Sequence, residues 1–173
     1  MVKDKYDVPV VSTGDFVREE ALRRGFSLTV ENITQVSNQI RTENNGIFMR
    51  ALLRDIDRAL DTRGIVLIDC LREASDYDEL VKRSGEGTVT VIALSSSDTN
   101  RYHRITSRMR ESGPMSEDEF KKLTEFETRL GVDTLIQIAD YKITNDSSET
   151  DFKSAASDLL LRMGKEKGVL LRR

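Results

Sequence analysis

The sequence has one cysteine, one histidine, two prolines and no tryptophan among its 173 residues. A lone Cys70 excludes an internal disulfide, and with a single histidine no Cys/His set is available to hold a structural zinc. Packing is its expected role. No apolar run approaches the roughly 20 residues that a membrane span needs, and no charged-then-apolar leader opens the chain, so a cytoplasmic location is the default expectation. An excess of one charge sign is missing too: 27 basic residues against 30 acidic ones give a net charge of -3. That balance argues against a general nucleic-acid binder, despite basic clusters at 101–110 and at Arg172-Arg173. The chain is long enough for one domain with its own core.

What is present is organised around Gly64-Ile65-Val66-Leu67-Ile68-Asp69-Cys70-Leu71-Arg72. Four consecutive apolar residues, rich in β-branched side chains and closed by an acid, read as a buried parallel strand with Asp69 at its carboxyl end. Ligands of open α/β sheets bind outside that end, which makes Asp69 and Arg72 a candidate metal and phosphate corner. Asp69 suits the N-cap of a following helix equally well.

Residues 8–11 read as a short strand with Pro9 near its start. It runs into Ser12-Thr13-Gly14-Asp15, where Ser12, Thr13 or Asp15 can cap a helix that carries Phe16, Val17, Ala21 and Leu22 and stops at Gly25. A second helix from Thr29 spaces Val30, Ile33, Val36 and Ile40 by three and four, and Asn44-Asn45-Gly46 breaks it. A third, over 47–60, turns Phe48, Leu52, Ile56, Ala59 and Leu60 to one side. An acidic helix at 75–83 and a buried strand at 88–94 follow, with Ser95-Ser96-Ser97-Asp98 capping the next helix. A charged helical region is broken at Gly113-Pro114, and Ser116-Glu117-Asp118-Glu119 has the form of a capping box for a helix ending at Gly131. A short helical turn at 135–139 and a last strand at 141–144 lead to a final helix with Phe152, Ala155, Ala156, Leu159, Leu160 and Met163 in one stripe. Strands alternating with helices imply an α/β fold: one parallel sheet covered on both faces.

Ser12-Thr13-Gly14-Asp15 with Arg18, and Asp69 with Arg72, resemble segments of the P-loop small-molecule kinases, in particular the adenylate kinases and other nucleoside monophosphate kinases. Ala139-Asp140-Tyr141-Lys142-Ile143-Thr144-Asn145 looks more like dephospho-CoA kinases. Taken together, residues 8–163 are most similar to archaeal nucleotide-kinase-like proteins related to both. The resemblance implies a single nucleotide kinase-like domain over 1–173, with acceptor-site helices at about 14–60 and a lid region at about 98–131. It implies ATP-dependent phosphoryl transfer to a nucleotide or nucleotide-like acceptor, with ATP and Mg2+ required by a complete family member.

Roles follow position by position from that resemblance. Thr13, Gly14, Asp15 and Arg18 would lie on the acceptor side, Arg18 gripping the acceptor's phosphate because a guanidinium matches phosphate oxygens in a fork. Asp69 would hold Mg2+ through water, and Arg72 would touch the acceptor's phosphate. Arg101, Arg104 and Arg108, three and four apart, would line the helix leading into the lid, with Arg110 one turn further round. Arg129 would swing back onto the phosphates, and Asn145 would lie near the adenine base. Residue type alone also allows an exposed Asp15–Arg18 pair, a solvated arginine face and a turn asparagine. Cys70 stands where the family has a small glycine, which narrows the space beside the phosphates.

The same resemblance calls for a strand, a G-x-x-x-x-G-K-[ST] loop and a helix, because the loop's N–H groups and lysine hold the β- and γ-phosphates. The 173 residues contain no such loop: Ser84-Gly85-Glu86-Gly87-Thr88 lacks lysine, and Gly164-Lys165 belongs to a helix end. Met1 is therefore expected to be an internal methionine of a longer reading frame, or the gene to have lost its start, and the chain as written to transfer no phosphate. In the family the loop-bearing strand lies between those expected at 65 and 89; buried ladder groups left unpaired there cost about 1–3 kcal/mol each, so poor stability is expected. The alternative is a non-catalytic descendant that binds a nucleotide or a protein. Partners are expected to be small molecules, with neither nucleic acid nor membrane, and the oligomeric state is open. Both acid-and-arginine corners are expected to face one phosphate-filled cleft.

Overall fold

The computed structural model describes residues 5–43, 45–107 and 115–169. Asn44, Arg108, Arg110, Gly113-Pro114, Arg172-Arg173 and Met1, all singled out in the sequence, lie outside them. The architecture is α/β, with short parallel strands flanked by helices. The chain divides into two compact units, one formed by Met1–Cys70 with Lys153–Arg173 and the other by Leu71–Phe152.

In the first unit, strand β1 (Val10–Ser12) leads into helix α1 (Thr13–Arg23), followed by α2 (Val30–Glu43), α3 (Asn45–Arg63) and strand β2 (Leu67–Asp69). Parallel pairing of β1 with β2 sets Val10 opposite Leu67 and Ser12 opposite Asp69. The Ser12 hydroxyl accepts from the Asp15 amide at 3.2 Å and so caps α1, while Gly25, at φ +80°, takes the left-handed conformation just past its end. The apolar spacing read from the sequence is what packs: Val17 and Ala21 of α1, Val36 and Ile40 of α2, and Phe48, Leu52 and Ile56 of α3 are all buried. Most of helix α8 (Glu149–Glu166) belongs to this unit and buries Ala156 and Leu159. Leu22 and Leu60, assigned to apolar faces, are exposed at 57% and 39%, and Ala155 is exposed too. Each lies at the margin of its stripe.

A charged clamp joins α1 to α2. Glu20 accepts two hydrogen bonds of 2.6 Å from Arg23 and one of 2.7 Å from Arg24, whose Nη1 donates to Gln39 Oε1 at 3.1 Å. The Arg23 hydrogen bonds foremost, helped by the one from Arg24, outweigh partial burial and pull the Glu20 carboxyl from 4.5 down to about 2. Its contribution to stability is therefore complete above pH 4.5 and lost as the pH falls through about 2. Acid titration followed by circular dichroism should show Glu20→Gln less stable than the wild type at neutral pH, with the gap closing below pH 4.5.

In the second unit, helix α4 (Ala74–Ser84) precedes strand β3 (Ile92–Ser95) and helix α5 (Asp98–Ser107). Helices α6 (Glu117–Leu130) and α7 (Val132–Gln137) follow, then strand β4 (Tyr141–Thr144). The capping box at Ser116 and Glu119 is complete, and Gly131 ends α6 at φ +92°. Pairing of β3 with β4 is parallel, Ile92 opposite Tyr141 and Ser95 opposite Thr144. Asp140 starts the ladder by accepting from the Val91 amide at 2.8 Å.

Two expectations need correction. The strands do not form one sheet covered on both faces; they form two separate parallel pairs, so each strand is an edge among the described residues. Nor are the central strands buried throughout. Leu67 and Ile68 are half-buried, and in β3 only Ala93 is buried while Leu94 is 58% exposed. A parallel strand is fully buried only where helices cover both of its faces.

Candidate functional site

The first acid-and-arginine corner is built on the β1–α1 turn. Thr13 is buried, and its hydroxyl donates to the Cys70 carbonyl at 2.6 Å, fastening the start of α1 to the carboxyl end of β2. Removing that donor strands the carbonyl; Thr13→Val, which keeps the volume, is expected to cost about 1–3 kcal/mol in a urea unfolding curve. Gly14 leaves room for the Arg18 side chain: a Cβ there would lie 3.3 Å from Arg18 Nη1. Arg18 folds back along the helix and pairs with Asp15 one turn earlier, its side chain 34% exposed.

Asp69 is exposed at the end of β2, and Cys70 beyond it adopts φ +67°, a left-handed conformation that suits glycine. The strain of a Cβ in that region is about 1–2 kcal/mol. Cys70→Gly is expected to raise the thermal midpoint, because relief of that strain exceeds the entropy that glycine adds to the unfolded chain, by a net of about 1 kcal/mol.

The expected second corner is divided: Asp69 belongs to the first unit and Arg72 to the second, where a different acid gathers the arginines. Arg101, on α5, donates from Nη1 to Asp98 Oδ1 at 3.0 Å and from Nη2 to Glu127 Oε2 at 3.0 Å. Its guanidinium sits 5.3 Å from the centre of the Phe120 ring. Arg72 Nη1 reaches the other oxygen of the same carboxylate, Glu127 Oε1, at 3.4 Å. Arg72 and Arg101, 29 positions apart, thus meet on one acid. Sequence reasoning missed Glu127, although a signal existed: it follows Phe120 by seven residues and shares the buried face of α6.

Arg129 is not brought to this cluster. It follows Glu127 by two positions, roughly 200° round the helix, and borders a shallow depression lined by Thr124, Glu125 and Thr128. Arg104 is also committed elsewhere, donating to the Asn145 carbonyl and, at 3.2 Å, to Ser96 Oγ. The expected arginine row along α5 is therefore divided between two tasks.

Asn145 extends the β3–β4 ladder, its amide donating to the Ser95 carbonyl at 2.7 Å. Beside it, Asp146 Oδ1 accepts from Asn100 Nδ2 at 3.0 Å, Ser96 Oγ at 2.7 Å and the Ser97 amide at 2.8 Å. Those donors, the Asn100 amide foremost, hold its carboxyl well below the usual range. The carboxyl ends of both strands and the start of α5 are thereby locked together.

Among the described residues no helix is long and apolar enough to cross a membrane, and no group of three His, Cys, Asp or Glu side chains is placed to hold a metal. No protein-family model matches the chain. It is 34% identical over 165 residues to the UPF0200 protein of Thermococcus sibiricus, a match covering 94% of this chain and 86% of that one. It is 33% identical over 156 residues to the UPF0200 protein of Hyperthermus butylicus, covering 90% and 82%. The UPF0200/UPF0201 protein of Archaeoglobus fulgidus is 30% identical over 166 residues, and there the chain spans 51% of its relative. With identity at this level over nearly its whole length, the chain belongs to the UPF0200 family.

Proposed function

We propose that the chain carries the acceptor-binding and lid elements of an ATP-dependent phosphotransferase acting on a nucleotide or nucleotide-like acceptor. The observation that supports this most is the meeting of Arg72 and Arg101 on a single carboxylate, because two guanidiniums at that separation suit the oxygens of one phosphoryl group. The fold is compatible. β2 and β3 are each edges, as they would be in a P-loop kinase fold without its loop-bearing strand. The candidate residues Thr13, Asp15, Asp69 and Asn145 lie at or just past the carboxyl ends of their own strands, where α/β proteins bind ligands.

In this reading Arg18 grips the acceptor's phosphate after leaving Asp15, and Arg72 and Arg101 hold a phosphoryl group. Mg2+ keeps most of its waters and rests on one or two carboxylates plus ligand phosphates, so the exposed carboxylate of Asp69 fits as its protein contact. When bound, the ion would neutralise phosphate charge. The absence of a G-x-x-x-x-G-K-[ST] loop from the 173 residues favours a second reading, a non-catalytic descendant that binds nucleotides or a protein.

Titration calorimetry of this chain with AMP, CMP, dephospho-CoA and ATP tests the proposal. One acceptor should bind, and Arg18→Gln should weaken it by about tenfold, as expected for a lost charge-assisted hydrogen bond. Heat from none of the four would refute it. Assaying phosphoryl transfer by a longer protein that includes the loop then separates the readings, since binding without transfer supports the second.

A further inference from the structure

We propose that Glu127 stands in for a ligand's phosphoryl group, holding Arg72 and Arg101 together until a phosphate displaces it. This rests on the nucleotide reading above and adds the regulation of that same site. The geometry is that of a bridging anion: Oε1 lies 3.4 Å from Arg72 Nη1 and Oε2 lies 3.0 Å from Arg101 Nη2. Arg101 gives the acid one hydrogen bond, and Arg72 pairs with it by charge at the longer distance. Neither forms the two-pronged fork that makes arginine–carboxylate pairs strong.

A phosphate monoester is the better bridge. It carries nearly two charges at neutral pH and three terminal oxygens, enough to give each arginine its own fork. Glu127 and the phosphate cannot share the position, because two anions between the same cations repel. Arg101 keeps its place when Glu127 leaves, since Asp98 and the face of Phe120 also hold it. Arg72, with a side chain 38% exposed, is open to an incoming ligand.

Displacement has two consequences. A monoanion or an uncharged nucleoside gains too little to expel a carboxylate that is tethered beside the arginines at high effective concentration, so the site selects for a phosphate dianion. The release of Glu127 also removes the tie from α6 to Arg72, just before α4, and to Arg101 on α5, so ligand binding loosens α6. Glu127 thereby acts as a latch.

Calorimetric titration of the full chain and of Glu127→Gln with AMP and with adenosine provides the test. Glu127→Gln should bind AMP about tenfold more tightly than the wild type, the combined effect of losing a competing ion pair and a repelling charge, while adenosine affinity stays level. In the wild type, AMP should speed amide hydrogen exchange across 117–130. Equal AMP affinity in the two proteins would overturn the latch and leave the nucleotide reading standing. Weaker AMP binding by Glu127→Gln would make Glu127 a positioning residue and overturn the latch as well. If neither protein binds AMP, the latch falls, and the nucleotide reading falls with it only when CMP, dephospho-CoA and ATP give no heat either. Should the variant fail to fold, unchanged or slower exchange across 117–130 in AMP-bound wild type is the result that overturns the proposal.

Discussion

Phe48→Ala should destabilise the first unit by about 3–5 kcal/mol, the range for emptying a buried phenylalanine site. The ring is 3% exposed on α3 and meets Phe16 of α1 edge to face, with centroids 5.5 Å apart at 68°. Arg41 of α2 covers it with its guanidinium 4.7 Å from the ring centre. One side chain therefore joins α1, α2 and α3, and its removal loses burial, an aromatic pair and a cation–π contact together. A domain holds only about 5–15 kcal/mol in total, so this loss takes a large part of the margin. Urea unfolding read by far-ultraviolet circular dichroism measures it, and amide exchange should rise across α1, α2 and α3. A loss below 1 kcal/mol would mean the helices repack around the gap. On the proposed reading α1 carries the acceptor-gripping Arg18, so a less firmly seated helix should weaken the binding sought by calorimetry even though Phe48 lies off the Asp15–Arg18 corner.

The features legible in the sequence are those that local chemistry decides. Ser116 and Glu119 satisfy each other's backbone neighbours whatever the rest of the chain does, and the capping box forms where it was expected. Residues 141–144 form a strand with the bounds read from the sequence, and apolar spacing located α1, α2 and α3. What local chemistry does not contain is the identity of the neighbours. The Val/Ile run at 88–94 has the composition of a long buried strand, yet β3 pairs only over Ile92–Ser95 because its partner offers four residues, Tyr141–Thr144. Leu94 is apolar for a face that no second neighbour covers among the described residues.

The candidate site divides along the same line. Asp15 and Arg18 pair as their i, i+3 spacing allows, and Thr13 and Asp69 come together because Ser12 and Asp69 stand opposite each other in the ladder. The positive φ of Cys70 explains why a glycine suits that position. Arg72, Arg101 and Arg129 differed in a way that only tertiary structure could reveal: all three had the right residue type, but Glu127 gathers two of them, and helical phase turns Arg129 to the opposite face of α6. A half-buried acid on an apolar stripe calls for cationic partners. Glu127 was therefore a better pointer to the cluster than the row of arginines itself.

Phe120→Ala is the other large expected loss, again about 3–5 kcal/mol, and it is tied directly to that cluster. The ring is 8% exposed, packs edge to face on Tyr102 of α5 at 5.5 Å, and presents a surface to the Arg101 guanidinium at 5.3 Å. Alanine removes both the packing between α5 and α6 and the support under Arg101, so by itself it does not separate structure from site. Phe120→Leu does. Leucine refills most of the volume and should keep most of the stability, yet it offers no π face to a cation. With the leucine variant, urea unfolding should show a loss of about 1–1.5 kcal/mol, and calorimetry a weaker AMP affinity by a factor of roughly 2–5, the worth of an exposed cation–π contact. If AMP affinity is unchanged in a folded Phe120→Leu, Asp98 alone suffices to hold Arg101 once Glu127 has left, and the ring's part is confined to packing. A drop in affinity with little loss of stability makes Phe120 the platform that keeps Arg101 in place after Glu127 has let go.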